Sequence, residues 1–421
     1  MNIPNKLKNI INYLAKNGAK AIIVGGAVRD YLMKQSIKDW DIEVYNIDTL
    51  DRLEELLKPF GKVNQVGKSY GIIKLTIDNN EIDFSLPRVD TKVDKGHKGF
   101  NVEVTPNLNF KEAAKRRDFT INSIGYDSIQ NKFLDPFNGI KDIKNRVLKV
   151  IDKDSFTQDP LRVYRAIGFS ARFNLNIDSN SFTLLKRMVE NNSLNELPKE
   201  RVFIEFKKLL LKSNKPSIGF EIMRKLGIIK KYFNELNNTK NWQQMLNSLD
   251  IMVSLLKDSK LDEESRLILI FAILCCNLSQ DDAKRLITKL TNQKKIIDSI
   301  LVLIEYYLTP FDYFTKGVNS ATIKELSTKV NIDKLLYLSK AYYLGYYKKS
   351  KCDACNWLEK KAKELNVLNA PPKAIIEGKD LIKLGFKPSK EFKYILENLY
   401  RMQLNEEFKT KEEAYNILAK S

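Results

Sequence analysis

Apolar positions recur along this chain with two different periods, and the switch between them divides it. Up to about residue 150, β-branched and aromatic residues come in short runs: Ile22-Ile23-Val24, Trp40-Asp41-Ile42-Glu43-Val44, IIKLTI from Ile72, and Ile82-Asp83-Phe84. Such runs, bounded by Gly25-Gly26 or by Asp78-Asn79-Asn80, predict strands and a hairpin. An amphipathic entry helix over 1–20 and a helix over 49–57 accompany them. The polar, glycine-containing stretch 88–101 predicts a mobile loop. From about 215 to 365 leucine and isoleucine return at helical spacing. Pro371-Pro372 breaks that pattern, and a last helical segment follows. An α+β protein is expected, with a strand-containing head over 1–148, then helical regions over 149–240, 241–368 and 369–421.

At 421 residues the chain is long enough for several domains. Lysine and arginine number 71 against 52 acids, a net charge of +19 that points to a polyanionic partner, nucleic acid first. A lysine-rich compositional bias is the competing explanation. The single histidine, His97, lies in the polar string DKGHKGF and reads as a loop residue. It leaves no room for multi-histidine zinc sites or histidine-based hydrolases. Adjacent Cys275 and Cys276 in an apolar run predict buried free thiols. Cys352 and Cys355 have metal or redox spacing but no second ligand pair, and read as incidental. The N-terminus lacks the apolar core of a signal peptide, and no apolar run is long enough to span a bilayer, so a soluble cytoplasmic protein is expected.

The candidate chemistry gathers in 22–45. A strand ends on Gly25-Gly26, where backbone N–H groups can approach a phosphate without a Cβ in the way. Arg29, one helical turn on, can aim a fork of donors at the same phosphates. Asp39, Asp41 and Glu43 alternate with Trp40, Ile42 and Val44, so a strand here turns the acids to one face. Neighbouring carboxylates repel unless a cation lies between them, and hard oxygen ligands suit Mg²⁺. Asp83 lies between two apolar residues on another strand and has two readings: a third carboxylate for the metals, or a surface acid of the hairpin. Gly67-Lys68-Ser69 is not a phosphate loop, because Lys62 stands where its first glycine belongs and a strand follows.

Strand–GG–x–x–R–D–helix–D–x–D–strand, taken together, resembles the catalytic signature of the nucleotidyltransferase superfamily that includes DNA polymerase beta. It is similar in particular to the class II tRNA nucleotidyltransferase and bacterial poly(A) polymerase branch. The resemblance implies a mixed-sheet head followed by an all-helical neck, body and tail. It also implies two Mg²⁺ ions on Asp39 and Asp41, with Asp83 a candidate third ligand. The string RRDFTIN resembles the second family signature, which contacts the sugar of the bound nucleotide. That role carries to Arg117 and Asp118, with Asn122 as support in an apolar helix or strand.

The second informative stretch is 158–172. Asp159 followed by Pro160 marks a helix start, which accounts for Asp159 by itself. Arg162 and Arg165 fall on the same helix face. The segment resembles the family's nucleobase-reading helix. Cytosine and adenine each offer an amino donor beside a ring-nitrogen acceptor, which a carboxylate plus a guanidinium matches. Guanine and uracil reverse the order and would leave polar groups unpaired. This sequence departs from many relatives at Gln158, where glutamate is usual, and at Gly168, where a further arginine is usual. The helical stretch 200–205 resembles the family's last motif, which braces the reading helix. Residues 266–278 resemble the core helix of the His-Asp phosphohydrolase domain, but Cys276-Asn277 replaces the His-Asp pair. The segment 378–408 resembles the tail of tRNA nucleotidyltransferases.

The function implied is template-independent addition of the 3′-terminal CCA of tRNA, with ATP and CTP as substrates and tRNA as partner. Three alternatives stand beside it: a poly(A) polymerase, an enzyme adding only CC or only A, and a non-catalytic RNA-binding protein with a dead head.

Overall fold

A computed structural model describes residues 1–64, 71–78, 80–92, 100–105, 108–237 and 241–419. Gly67-Lys68-Ser69, Asn79 and His97 lie outside the described residues. The chain divides into two compact units, Met1–Leu209 with Glu221–Lys231, and Leu210–Phe220 with Tyr232–Ser421.

The first unit is built on a seven-stranded mixed sheet. Its elements begin with α1 (Asn5–Lys16), β1 (Lys20–Val24), α2 (Gly26–Leu32), β2 (Trp40–Tyr45) and α3 (Leu50–Leu57). The strands β3 (Lys62–Asn64), β4 (Ile72–Ile77) and β5 (Asn80–Ser85) follow. An antiparallel ribbon, β6 (Arg88–Lys92) and β7 (Phe100–Val104), stands apart from the sheet. Then come α4 (Phe110–Lys115), β8 (Gly125–Asp127), β9 (Lys132–Leu134) and α5 (Gly139–Lys144). The sheet order is β3-β4-β5-β2-β1-β8-β9, with β2 and β5 parallel and the other neighbours antiparallel.

Period two decides which face of the sheet does what. Ile23, Ile42, Val44 and Phe84 point to one side and meet Leu7, Ile10, Ile11 and Leu14 of α1, with Leu53, Leu56 and Leu57 of α3. All of these side chains are buried, and each contributes roughly 1.5–3 kcal/mol by leaving water. The opposite face carries Ile22, Val24 and Tyr45 against α4, together with the acids Asp41, Glu43 and Asp83. One sheet thus separates a dry core from a charged face.

The ribbon β6–β7 corrects the loop expected over 88–101: residues 88–92 pair in register with 100–104. A ladder is carried by backbone hydrogen bonds, so polar composition does not prevent it. A 3₁₀ turn, Thr120–Asn122, replaces the helix or strand expected around Asn122.

Beyond the sheet the same unit continues through β10 (Val147–Leu148), α6 (Lys153–Thr157), α7 (Leu161–Phe173), β11 (Asn176–Ile177), α8 (Ser179–Glu190) and all but the last turn of α9 (Lys199–Lys212). The parallel pair β10–β11 is the departure from an all-helical neck. Tyr164 of α7 meets Phe206 of α9, their ring centroids 5.9 Å apart.

The second unit is helical among its described residues. Its core helix, Glu263–Cys275, is apolar all round and is buried from Leu267 to Cys275, as such a pattern requires. Cys275 and Cys276 are free and buried, and burial pushes the Cys275 thiol up to about 12. Cys352 and Cys355, read as incidental in the sequence, are instead joined as a disulfide at the start of the helix Asp353–Glu364. The last helices share a separate small core of Leu381, Leu399, Phe408 and Ala414. No described helix is long and apolar enough to cross a membrane.

Candidate active site

The site begins where β1 runs out. Gly25 has φ +68° and ψ −129°, a conformation that disfavours any side chain, and it turns the chain from the strand into α2. A Cβ at Gly25 would stand 3.2 Å from Arg117 Nη1 and 3.4 Å from Asp41 Oδ2. The missing side chain is what lets a cation and an anion approach the turn from two sides. Gly26 opens α2, and a Cβ there would only touch Arg29 Nη2 at 3.6 Å.

The acids lie on the neighbouring strands. β2 starts at Trp40, so Asp39 stands just before the strand rather than within it, and is exposed. Asp41 pairs in register with Val24 on one side and Asp83 on the other, which puts Asp41 and Asp83 on one face of parallel strands. Burial pushes the Asp41 carboxyl above its ordinary value; Arg117 pulls it back, and the charges of Asp83 and Asp39 push it further up. Asp83 also meets Lys74 of β4 at 3.4 Å, an ion pair that satisfies it as a hairpin acid. Among the described residues no three side chains form a closed metal cage. The donor set nevertheless suits a hard divalent cation, since its acids are oxygen ligands whose mutual repulsion such an ion offsets.

Behind the acids lies a network of arginines. Glu43 is fully buried and accepts from Arg117 Nη2 at 2.6 Å and the Tyr45 hydroxyl at 3.3 Å, with Arg116 at 3.8 Å. Asp118 accepts on one oxygen from the Phe119 N–H and Asn122 Nδ2, and on the other from Arg165 Nε and Nη2 at 2.7 and 2.6 Å. Burial alone would raise the Asp118 carboxyl. The Arg165 charge, the Asn122 and Arg165 hydrogen bonds and the Arg162 charge overcome it and hold the group below the usual range. Asn122 also accepts from Arg29 Nη1 at 2.7 Å. The rest of the Arg29 guanidinium is bonded to Asp30 and packs on Phe169 and Phe173, 5.1 and 4.9 Å from the ring centres.

Helix α7 supplies the remaining wall. Asp159 accepts from the Leu161 N–H at 3.2 Å, as a helix-start acid does, and its other oxygen lies 3.7 Å from Arg201 of α9. Arg162 is fixed by two carbonyls: Nη1 donates to Ser155 O at 2.9 Å, and Nη2 to Arg116 O at 2.8 Å. Asp159 and Arg162 are therefore each held by other groups. Gly168, on the same helix, faces open space.

These groups surround one cavity of about 360 Å³. Gly25, Gly26, Arg29, Asp41, Arg117, Asp118, Asn122, Asp159, Arg162 and Arg165 all line it; Asp39 and Asp83 do not. Six arginines and three aspartates contribute to the wall, an excess of positive charge suited to a polyphosphate. Glu43, Arg116 and Arg201 also belong to the site, although the sequence did not mark them as site residues. The signals for them were Glu43's alternation with Asp41, Arg116's place beside Arg117, and Arg201's place in a stretch read as bracing.

The chain is similar to known proteins in sequence and in fold. Residues 21–149 match the Poly A polymerase head domain, and residues 174–240 match the "Probable RNA and SrmB- binding site of polymerase A". The CCA-adding enzyme of Buchnera aphidicola subsp. Baizongia pistaciae is 30% identical over 305 residues, 69% of this chain and 70% of that protein. The Multifunctional CCA protein of Pseudoalteromonas atlantica is 35% identical over 218 residues, and the chain spans about half the length of that relative (51% of each). In fold, the Bacillus stearothermophilus CCA-adding enzyme in complex with CTP superposes with a TM-score of 0.71 at 20% identity, covering 98% of this chain and 96% of that one. The chain belongs to the CCA-adding enzyme family of nucleotidyltransferases, whose head is the poly(A) polymerase head domain.

Proposed function

We propose that this protein builds or repairs the 3′-terminal CCA of tRNA, adding C, C and A from CTP and ATP with release of pyrophosphate. The observation that carries the reading is the single cavity in which Asp41, the Gly25-Gly26 turn and the Asp159–Arg162 helix start face one another. A nucleoside triphosphate needs all three: an acidic edge for its metal, a cationic cradle for its phosphates, and a polar edge for its base.

Gly25 and Gly26 leave room for phosphate oxygens beside the start of α2. Arg117 is held by Glu43 with its other amino group toward the Gly25 turn, where it can neutralise phosphate charge. Asp118 is locked by Arg165 and Asn122, which gives the sugar side of the cavity a fixed ionised carboxylate. Asp159 accepts from the amino group of cytosine or adenine, while Arg162 donates to the neighbouring ring nitrogen. Uracil and guanine would face donor with donor and acceptor with acceptor. Asp39 and Asp41, with Asp83 if its Lys74 partner yields, would hold Mg²⁺; bound there, the ions acidify the RNA 3′-hydroxyl and offset charge on the α-phosphate. The basic composition suits a tRNA held through its phosphates.

The test uses full-length protein, Mg²⁺ and tRNA transcripts ending before CCA, after C and after CC, with each nucleotide alone and together. Ordered addition of C, C and A that then stops, and that is absent in Asp41→Ala, is the expected result. Addition of CC or A alone would indicate a partial enzyme, long A tracts on unrelated RNA a poly(A) polymerase, and no addition at all a binding protein.

A further inference from the structure

We infer that Glu43 is a positioning residue that holds the Arg117 guanidinium away from Asp41, keeping Asp41 open to a divalent cation and Arg117 turned to the nucleotide. The inference rests on the nucleotidyltransferase reading above. It begins from the Gly25 turn. Arg117 Nη1 and Asp41 Oδ2 lie 3.2 and 3.4 Å from the same point, the place a Cβ of residue 25 would occupy. They are no further apart than those two distances laid end to end. Opposite charges so close, in a partly dry site, attract strongly. Yet no ion pair joins them among the described residues. Arg117 gives Nη2 to Glu43 at 2.6 Å and turns Nη1 toward the Asn122 carbonyl at 3.4 Å.

Glu43 is placed to win this competition. It lies on β2 two residues from Asp41, so the pleat aims both acids at the same face. Its side chain is fully buried, with Arg117, Arg116 and Tyr45 around it. A buried carboxylate that already has cationic neighbours is a poor ligand for an ion arriving from solvent. Asp41, at the cavity wall, is the accessible one. Two acids of one strand thereby divide two tasks: the fully buried one takes the arginine, and the half-buried one at the cavity wall is left for the metal. If Glu43 loses its charge, Asp41 is the carboxylate beside the Gly25 turn to which Arg117 can swing. A guanidinium there would cover the oxygens a cation needs. Glu43 touches neither substrate nor reacting atoms and acts only through Arg117.

The experiment is Mn²⁺ binding to the full-length protein, followed by electron paramagnetic resonance without nucleotide or RNA. Four proteins are compared: wild type, Glu43→Gln, Arg117→Gln and the double variant, each checked for cooperative thermal unfolding. Glu43→Gln should weaken Mn²⁺ binding about tenfold or more, the usual scale for a group that orients a metal site from behind. Arg117→Gln should bind at least as tightly as wild type, and in that background Glu43→Gln should have no further effect. Wild-type affinity in Glu43→Gln would overturn the proposal. So would an equal loss from Glu43→Gln in the Arg117→Gln background, because Glu43 would then act through some other group. If Glu43→Gln fails to fold, Arg117→Gln alone decides: weakened binding there refutes the competition. A wild-type protein that binds no Mn²⁺ would instead remove the metal reading of the site, and this proposal with it.

Discussion

The glycine pair offers a contrast that the structure makes quantitative. Gly25 and Gly26 are adjacent and both line the cavity, yet alanine should behave oppositely at the two. Gly25 holds φ +68° and ψ −129°, which strains an alanine by about 1–3 kcal/mol. Its Cβ would also press on Arg117 Nη1 at 3.2 Å, closer than ordinary contact. For a unit of roughly this size, 1 kcal/mol moves Tm by about 2–4 °C, so Gly25→Ala should lower it by roughly 2–12 °C. Gly26 is already helical, and its Cβ would meet Arg29 Nη2 at a comfortable 3.6 Å. Alanine at this first helical position meets no backbone strain, and Tm should hold or rise slightly. Differential scanning calorimetry on the two variants checks this, with nucleotide addition measured alongside. Gly25→Ala should lose turnover as well as stability, since Arg117 and Asp41 are the groups displaced. A Gly25→Ala protein with wild-type Tm, or a Gly26→Ala protein that is the less stable of the two, would refute the argument from backbone conformation.

Other outcomes follow from the charges. Asp41→Asn should abolish nucleotide addition yet stabilise the fold by about 0.5–2 kcal/mol at neutral pH, the usual scale for relieving a functional-site conflict. A carboxyl whose folded value is raised opposes folding above that value and ceases to do so as pH falls, so the variant's advantage should shrink in acid; a variant less stable than wild type at neutral pH would count against it. Asp118 has the opposite sign. Its depressed folded value gives stability that is present above the ordinary carboxylate value and lost as pH falls through the folded one. Asp118→Ala, which leaves Arg165 without its buried partner, should cost about 3–5 kcal/mol in urea unfolding, and Asp118→Asn should flatten the acid limb of the stability curve. Asp159→Ala should cost only about 1 kcal/mol for the lost helix start, while relaxing the choice of C and A over U and G in single-nucleotide addition; unchanged discrimination would remove Asp159 from the base-reading role.

What could be read from the chain, and what could not, divides along local and distant pairing. The turn after β1, the alternation on β2 and the start of α7 were legible because each is set within a few residues: β-branched runs, Gly-Gly, Asp-Pro. The ribbon at 88–104 was not, because its ladder belongs to the backbone while its side chains read as a loop. Asn122 was named, but its 3₁₀ turn was not, since the string TIN suits helix and strand equally. The contacts that make the cavity join residues far apart in sequence: Arg29 with Asn122, Arg162 with the Arg116 carbonyl, Arg165 with Asp118. No local pattern specifies such pairs. Glu43 shows why the omission matters. An acid in a strand pattern is ordinarily solvated, and only the packing of the RRD segment over β2 makes it the buried anchor of two arginines. Most arginines of this site are already bonded before any nucleotide arrives, to Asp30, Glu43, Asp118 or backbone carbonyls. Those anchors orient the guanidinium groups in advance, and six arginines against three aspartates on the wall leave the cavity both positive and ordered. A triphosphate entering it meets fixed donors, and the cost of arranging them was met when the chain folded.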